Sequence, residues 1–193
     1  MHTKASLAVA GLLVLGAGCG DVTIGDGTRI DGSGTIVTES REVSGFDAVR
    51  IFGSGAITID VTGTESLSLT ADDNLMDLLT TEVSGSTLDL SVERGNSISP
   101  SREVEYAITA QDLAELSIFG SADIKVTGAD ASEFEINISG SADIELVGAA
   151  ESLSIVISGS GDIDASALAT KTGSVRISGS GDILVNATDE LDI

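Results

Sequence analysis

The sequence predicts an all-β fold built as a parallel β-solenoid, and three observations carry that prediction. First, one phrase recurs: LSIFGSADIKV (116–126), INISGSADIEL (136–146), SIVISGSGDID (154–164) and SVRISGSGDIL (174–184). Second, apolar and polar residues alternate at period two on both sides of its Gly-Ser pair, which marks half-buried strands. Third, β-branched residues dominate these stretches, and such side chains suit a pleated surface better than a helix.

The repeat defines columns. Gly53, Gly120, Gly140, Gly159 and Gly179 align, the last three steps being 20, 19 and 20 residues. Two positions before each Gly stands Ile51, Ile118, Ile138, Ile157 or Ile177, and four after it Ile57, Ile124, Ile144, Ile163 or Ile183. A unit this short cannot bury its own apolar face, but stacked units can, with like residues in register about 4.8 Å apart. The structural residues predicted are therefore the corner glycines and the ladder that includes Ile138, Ile144, Ile157 and Ile163. Glycine relieves crowding where the chain bends, and the neighbouring Ser and Asp serve as turn acceptors. The competing architecture, an antiparallel β-sandwich, also predicts alternation but gives no reason for identical columns.

The other segments follow in chain order. Residues 1–18 read as a secretory signal: a short basic start, then ASLAVAGLLVLGAG, too short for a persuasive membrane span. Cys19, the chain's single cysteine, cannot form an intrachain disulfide. It closes LGAGC, similar to the lipobox of bacterial lipoproteins, which predicts an acylated first mature residue. The match is imperfect, since Gly16 stands where Leu is usual. Residues 19–39 read as a Gly-rich tether, with TIVTE as a candidate edge strand. The domain proper spans 40–193. Within it 66–92 read as an inserted meander, with one short helical turn near ADDNLMDLL (71–79). The final NATDELDI opens another unit without completing it, which predicts a missing cap or completion by a second copy.

Composition excludes some functions. There are 31 acidic against 9 basic residues, a formal charge of −22, which opposes nucleic acid and anionic lipid surfaces. Removing residues 1–18 takes away Lys4 and no acid, leaving the mature chain more negative still. Aromatic residues are only 3% of the chain, with no Trp, too few for base-stacking platforms.

Asp123, Asp143, Asp162 and Asp182 form a carboxylate row opposite in parity to the isoleucines. They are candidate calcium ligands. Calcium, however, needs six to eight oxygens rather than a single file, and the diglycine and nine-residue period of calcium-binding repeats are missing. The plainer reading is a solvated row, and Ala56 occupies the column in the first coil. Lys125 beside Glu145 predicts a surface pair. Ser139, Ser158 and Ser178, with Phe119 one coil earlier, form an outward column read as a hydrogen-bonded serine stack or a polar ladder for a glycan or protein. The only His is His2, and no motif interrupts the repeat to make a catalytic site, so no enzyme and no cofactor are expected.

REVSGFDAVRIFGSGAITI, LTADDNLMDLLTTEVSGSTLDLSV, YAITAQDLAELSIFGSADI and the later SGSGDI units together resemble the head GIN domain of the family named for auto-transporter adhesins, from about residue 40 to the C-terminus. The resemblance implies a right-handed parallel β-helix, lipid-anchored or secreted in a bacterial envelope. It supplies no catalytic residues. The expectation is a non-enzymatic outer-membrane or cell-surface lipoprotein that presents a rigid acidic surface to a protein or glycan. The alternatives are a periplasm-facing binding or stress-sensing module and, third, a carbohydrate-active enzyme.

Overall fold

The computed structural model describes residues 28–193, so the signal segment and Cys19 lie outside the described residues. The strands are β1 (Thr28–Asp31), β2 (Ile36–Arg41), β3 (Ala48–Ile51), β4 (Ser54–Val61), β5 (Ser66–Asp72), β6 (Leu79–Ser84) and β7 (Thr87–Val92). They continue as β8 (Asn96–Ser99), β9 (Glu105–Ala110), β10 (Glu115–Ile118), β11 (Ser121–Ile138), β12 (Ser141–Ile157), β13 (Ser160–Ile177) and β14 (Ile183–Asp192). A 3-10 helix, Asp73–Leu78, falls within the stretch predicted to turn helically. No helix among the described residues is long and apolar enough to cross a membrane.

The fold is all-β. Coil lies on coil in the predicted register: Ile57, Ile124, Ile144, Ile163 and Ile183 pair in sequence, as do Ile51, Ile118, Ile138, Ile157 and Ile177. Every pairing along this ladder is parallel. The sheet as a whole is not parallel throughout, and in this it departs from the expectation. Twelve strands form one mixed sheet that nearly closes on itself, because β9 joins parallel beside β4 and carries β5 and β2 antiparallel beyond it, and β6 and β7 form an antiparallel hairpin beside β3. The predicted meander is thus split. Its β5 goes to one side of the stack and its β6–β7 hairpin to the other.

The alternating residues fill the interior. Ile51, Ile57, Ile118, Ile124, Ile138, Ile144, Ile157 and Ile163 are all buried, and Phe134 and Phe46 pack into the same core. Burying side chains of this size stabilises by about 1.5–3 kcal/mol each relative to leaving them in water. Breaks of register between Val126 and Ala129, and between Glu145 and Val147, mark where the long strands bend from one wall to the next. At the far end of the stack Ile177, Leu184, Leu191 and Ile193 are exposed.

The corner glycines are explained by coil-on-coil contact. None has a left-handed backbone. A Cβ on Gly140 would sit 1.9 Å from the Gly120 carbonyl oxygen, and one on Gly159 would sit 2.0 Å from that of Gly140. The same carbonyls accept hydrogen bonds from the next coil: Ser141 N–H to Gly120 at 2.9 Å and Ser160 N–H to Gly140 at 3.0 Å. Gly53 is the exception, with nothing within 4 Å of its would-be Cβ.

The stretch predicted to be a tether contributes two strands in its described part. β1 pairs parallel with β8, and β2 pairs antiparallel with β5. Asp72 holds this segment down. Its carboxylate is wholly buried and accepts from the Gly34 N–H (2.7 Å), the Ser101 N–H (2.8 Å) and the Ser101 hydroxyl (2.6 Å). Gly32 is required beside it, since a Cβ there would fall 2.3 Å from the carboxylate oxygen.

The Ser101 hydroxyl, then the Ser101 and Gly34 amides, hold Asp72 below its usual 3.8, with burial opposing them. Folding therefore favours the ionised form. The stabilisation is complete above 3.8 and is lost as pH falls below it through the lower folded value. Asp72→Asn turns an acceptor oxygen into a donor facing donors, so its Tm should lie several degrees below wild type at neutral pH. That gap should hold down to about pH 5 and narrow below 3.8. A pH series of thermal melts on both proteins checks it, and a gap that widens in acid would contradict this account.

Candidate functional site

Strand alternation puts two polar faces on the outside of the stack, and both are ordered by the same register. On the first face, Glu105, Ala56, Asp123, Asp143, Asp162 and Asp182 follow one another across neighbouring strands. Beside them run Ala107, Thr58, Lys125, Glu145, Asp164 and Leu184. A shallow trough of about 620 Å³ lies between the two rows.

Lys125 bonds both oxygens of Glu145, at 2.9 and 2.8 Å. Both side chains are half exposed, so the pair contributes little to stability. Asp182 N–H donates to the Asp162 carboxylate at 2.9 Å, a turn-acceptor role of the kind expected. Asp164 accepts from both the hydroxyl and the amide of Ser166, which lowers its pKa.

The four candidate calcium ligands therefore stand in file, one per coil. Among the described residues no group of three or more Asp, Glu, His or Cys converges on a point. Charges one strand spacing apart repel by roughly 1 kcal/mol in water. Asp143 lies between Asp123 and Asp162. Asp143→Asn should therefore raise Tm by about 2 °C at low ionic strength, with the gain shrinking by more than half in about 1 M salt. Melts at the two ionic strengths check this, and a salt-independent gain would point to a cause other than repulsion.

The second face carries the serine column. Thr80, Ser91, Phe52, Phe119, Ser139, Ser158 and Ser178 lie along it, strand by strand. The coils are joined here by main-chain amides, Ser139 N–H to Ile118 O at 2.8 Å and Ser158 N–H to Ile138 O at 2.7 Å. The hydroxyls of Thr80 and Ser91 bond each other at 2.5 Å, but those of Ser139, Ser158 and Ser178 make no hydrogen bonds among the described residues, so the stack expected from these three is held by backbone instead. The next row holds Glu82, Asp89, Arg50, Ser117 and Asn137.

Phe52 and Phe119 are the anomaly of this surface. Their rings stack nearly parallel, 5.1 Å between centroids and 11° between planes. They are 47% and 50% exposed, whereas Phe46 and Phe134 are 3% and 0% exposed. Arg50 lies over the Phe52 ring with its guanidinium carbon 6.0 Å from the centroid. Beside Phe52 the β6–β7 hairpin walls a cleft of about 650 Å³ that also takes in Arg50, Glu82, Asp89, Glu93 and Arg94. Sequence reasoning found Phe119 in the serine column but not the cleft. The cleft exists because β7 pairs with β3 across nearly forty residues of chain, Leu88 beside Val49 and Leu90 beside Ile51.

Known structures share this fold. An adhesin-class crystal structure from Bacteroides fragilis, described as a "putative adhesin", superposes with a TM-score of 0.70 at 23% identity, covering 84% of this chain and 85% of that one. A "putative lipid binding protein" from Parabacteroides distasonis gives a TM-score of 0.57 at 23% identity, over 85% of this chain and 87% of that one. A second protein from Parabacteroides distasonis, also a "putative adhesin", gives 0.52 at 15% identity, over 86% and 99%. No curated protein is similar enough in sequence to match. The family model described as "putative auto-transporter adhesin, head GIN domain" matches residues 45–193, and on that match the chain belongs to the head GIN domain family.

Proposed function

We propose that this chain is an adhesin of a bacterial cell envelope, anchored through an acylated Cys19 and carrying a right-handed β-solenoid head that binds without catalysing a reaction. Family membership supports an adhesin-class, surface or envelope role. The observation that carries the reading further is the pair of outward faces. Coil stacking sets Asp, Lys/Glu, Ser and Phe columns at a fixed spacing on one continuous sheet, a surface rigid enough to engage a partner with little ordering cost. The acidic excess gives the chain a net negative field, which directs it away from phosphate-rich partners.

Protease shaving of intact cells tests the placement. Loss of the head while a periplasmic control survives is the expected result. Survival of both, with the purified protein shown to be cleavable, would replace outward display by a periplasm-facing binding module. Metabolic labelling with a clickable fatty acid tests the anchor, since Cys19→Ser should abolish the label.

A further inference from the structure

We infer that the cleft between Phe52 and the β6–β7 hairpin is a binding site for an uncharged pyranose, such as the end of a neutral glycan. The inference rests on the adhesin reading above and names its ligand class.

The aromatic pair is not there for the fold. In the same column the later coils carry Ser139, Ser158 and Ser178 with the same backbone bonding, so the corner is built equally well without a ring. Two of the chain's four phenylalanines are nevertheless held half in water and stacked face to face. An exposed aromatic cluster of this kind in an otherwise aromatic-poor chain marks a contact surface.

The cleft's polar groups define what that surface meets. Arg94 makes no ion pair or side-chain hydrogen bond among the described residues, whereas Arg29, Arg41, Arg102, Lys125 and Lys171 are each paired with a carboxylate. Arg50 comes only to 3.6 Å of Asp89, beyond a hydrogen bond, and that Asp89 oxygen has no hydrogen-bond partner among the described residues. Two guanidiniums with unused donors thus line the cleft together with Glu82, Asp89 and Glu93.

Charges of both signs nearly cancel, which disfavours a strongly ionic ligand of either sign. A phosphate would meet three carboxylates within the field of a chain with net charge −22. A cation is favoured by that field, but inside the cleft it would meet two guanidiniums beside the carboxylates. An acyl chain would strip water from all five without replacing it. A pyranose suits each element. Its C–H groups pack against the exposed part of the Phe52 ring beside the Arg50 guanidinium, while its vicinal hydroxyls donate to carboxylates and accept from a guanidinium fork. The volume of about 650 Å³ admits one or two sugar rings.

The test uses the full chain, detergent-solubilised, on an array of neutral and acidic oligosaccharides, followed by titration calorimetry with the best methyl pyranoside. Phe52→Ser installs the residue that later coils carry, and Arg94→Gln keeps the chain's polarity. The expected result is binding to a neutral glycan that weakens at least about tenfold in each variant while Tm stays within about 2 °C of wild type. Three results overturn the site: no neutral glycan binds, only acidic glycans bind, or binding survives both substitutions.

Adherence of intact cells separates this inference from the reading beneath it. Cells whose adherence is unchanged by Phe52→Ser would overturn the site and leave the adhesin reading standing. Non-adherent cells whose purified protein binds a glycan in a Phe52-dependent way would overturn the adhesin reading and support the site.

Discussion

Gly140→Ala is expected to lower the melting temperature by about 6–12 °C, corresponding to about 3 kcal/mol, while Gly53→Ala leaves it unchanged or slightly raised. The two residues occupy the same column and neither needs a left-handed backbone. They differ in what a methyl group meets. At Gly140 it meets the Gly120 carbonyl oxygen at 1.9 Å. An ordinary carbon–oxygen contact is about 3.3 Å or more, so the coils would have to separate by more than 1 Å. That oxygen also accepts the Ser141 amide at 2.9 Å, and the separation would break this bond and its neighbours. At Gly53 the methyl enters open space, and loss of unfolded-state freedom gives a gain of about half a kcal/mol. Gly179→Ala is a useful third case. Its Cβ lies 1.8 Å from the Gly159 oxygen, but the coil bearing it is at the end of the stack and can move, so the loss should be smaller than at Gly140. Thermal and urea melts of the three variants decide the matter. Equal losses at all three would sink coil-on-coil contact as the reason for the glycine column.

The glycine column was visible in the sequence, but its cause was not. Recurrence showed that every coil turns a similar corner, and alternation separated Ile138 and Ile144 from Asn137 and Asp143, because both signals are local. The bend suggests glycine to relieve crowding within the corner itself, whereas the structure shows that the crowding is between the main chains of two coils, which appears only once coils are stacked. Partners far apart in sequence were likewise hidden. Asp72 follows Leu67, Leu69 and Ala71 in strict alternation, which would place it outward. It is buried because Gly34 and Ser101 close over it. No local pattern announces that a polar strand end will be roofed by a segment forty residues earlier. Within 19–39, TIVTE is legible as an edge strand and becomes the start of β2, whereas TRID is too short and polar to declare itself without knowing that β8 waits beside it. At the candidate cleft, Phe119 was noticed as a departure from Ser, but the meaning of Phe52 depends on a hairpin whose placement alternation cannot give.

Ile157→Ala is expected to cost about 3–4 kcal/mol, roughly 10 °C in Tm, and Ile177→Ala less than about 1.5 kcal/mol, although both remove the same atoms from the same column. Ile157 is fully buried between Ile138 and Ile177, so truncation leaves a cavity that flanking main chains, fixed by their own hydrogen bonds, cannot close. Ile177 is 43% exposed, and water fills the space its side chain leaves. The same pair of sites asks how far cooperativity reaches. If each coil is held chiefly by its neighbours, Ile138→Ala and Ile157→Ala should be non-additive by about 1 kcal/mol, since they open one shared cavity. Ile51→Ala and Ile157→Ala, three strand spacings or about 14 Å apart, should add to within about 0.5 kcal/mol. Denaturant melts of the four single and two double variants make the comparison. Equal costs at Ile157 and Ile177 would mean that the end of the stack is covered in solution. Strong coupling between Ile51 and Ile157 would mean that β9, β5 and β2 on the β4 side and the hairpin beside β3 lock the first coils and the last into one cooperative core, and that the repeats do not act as independent layers.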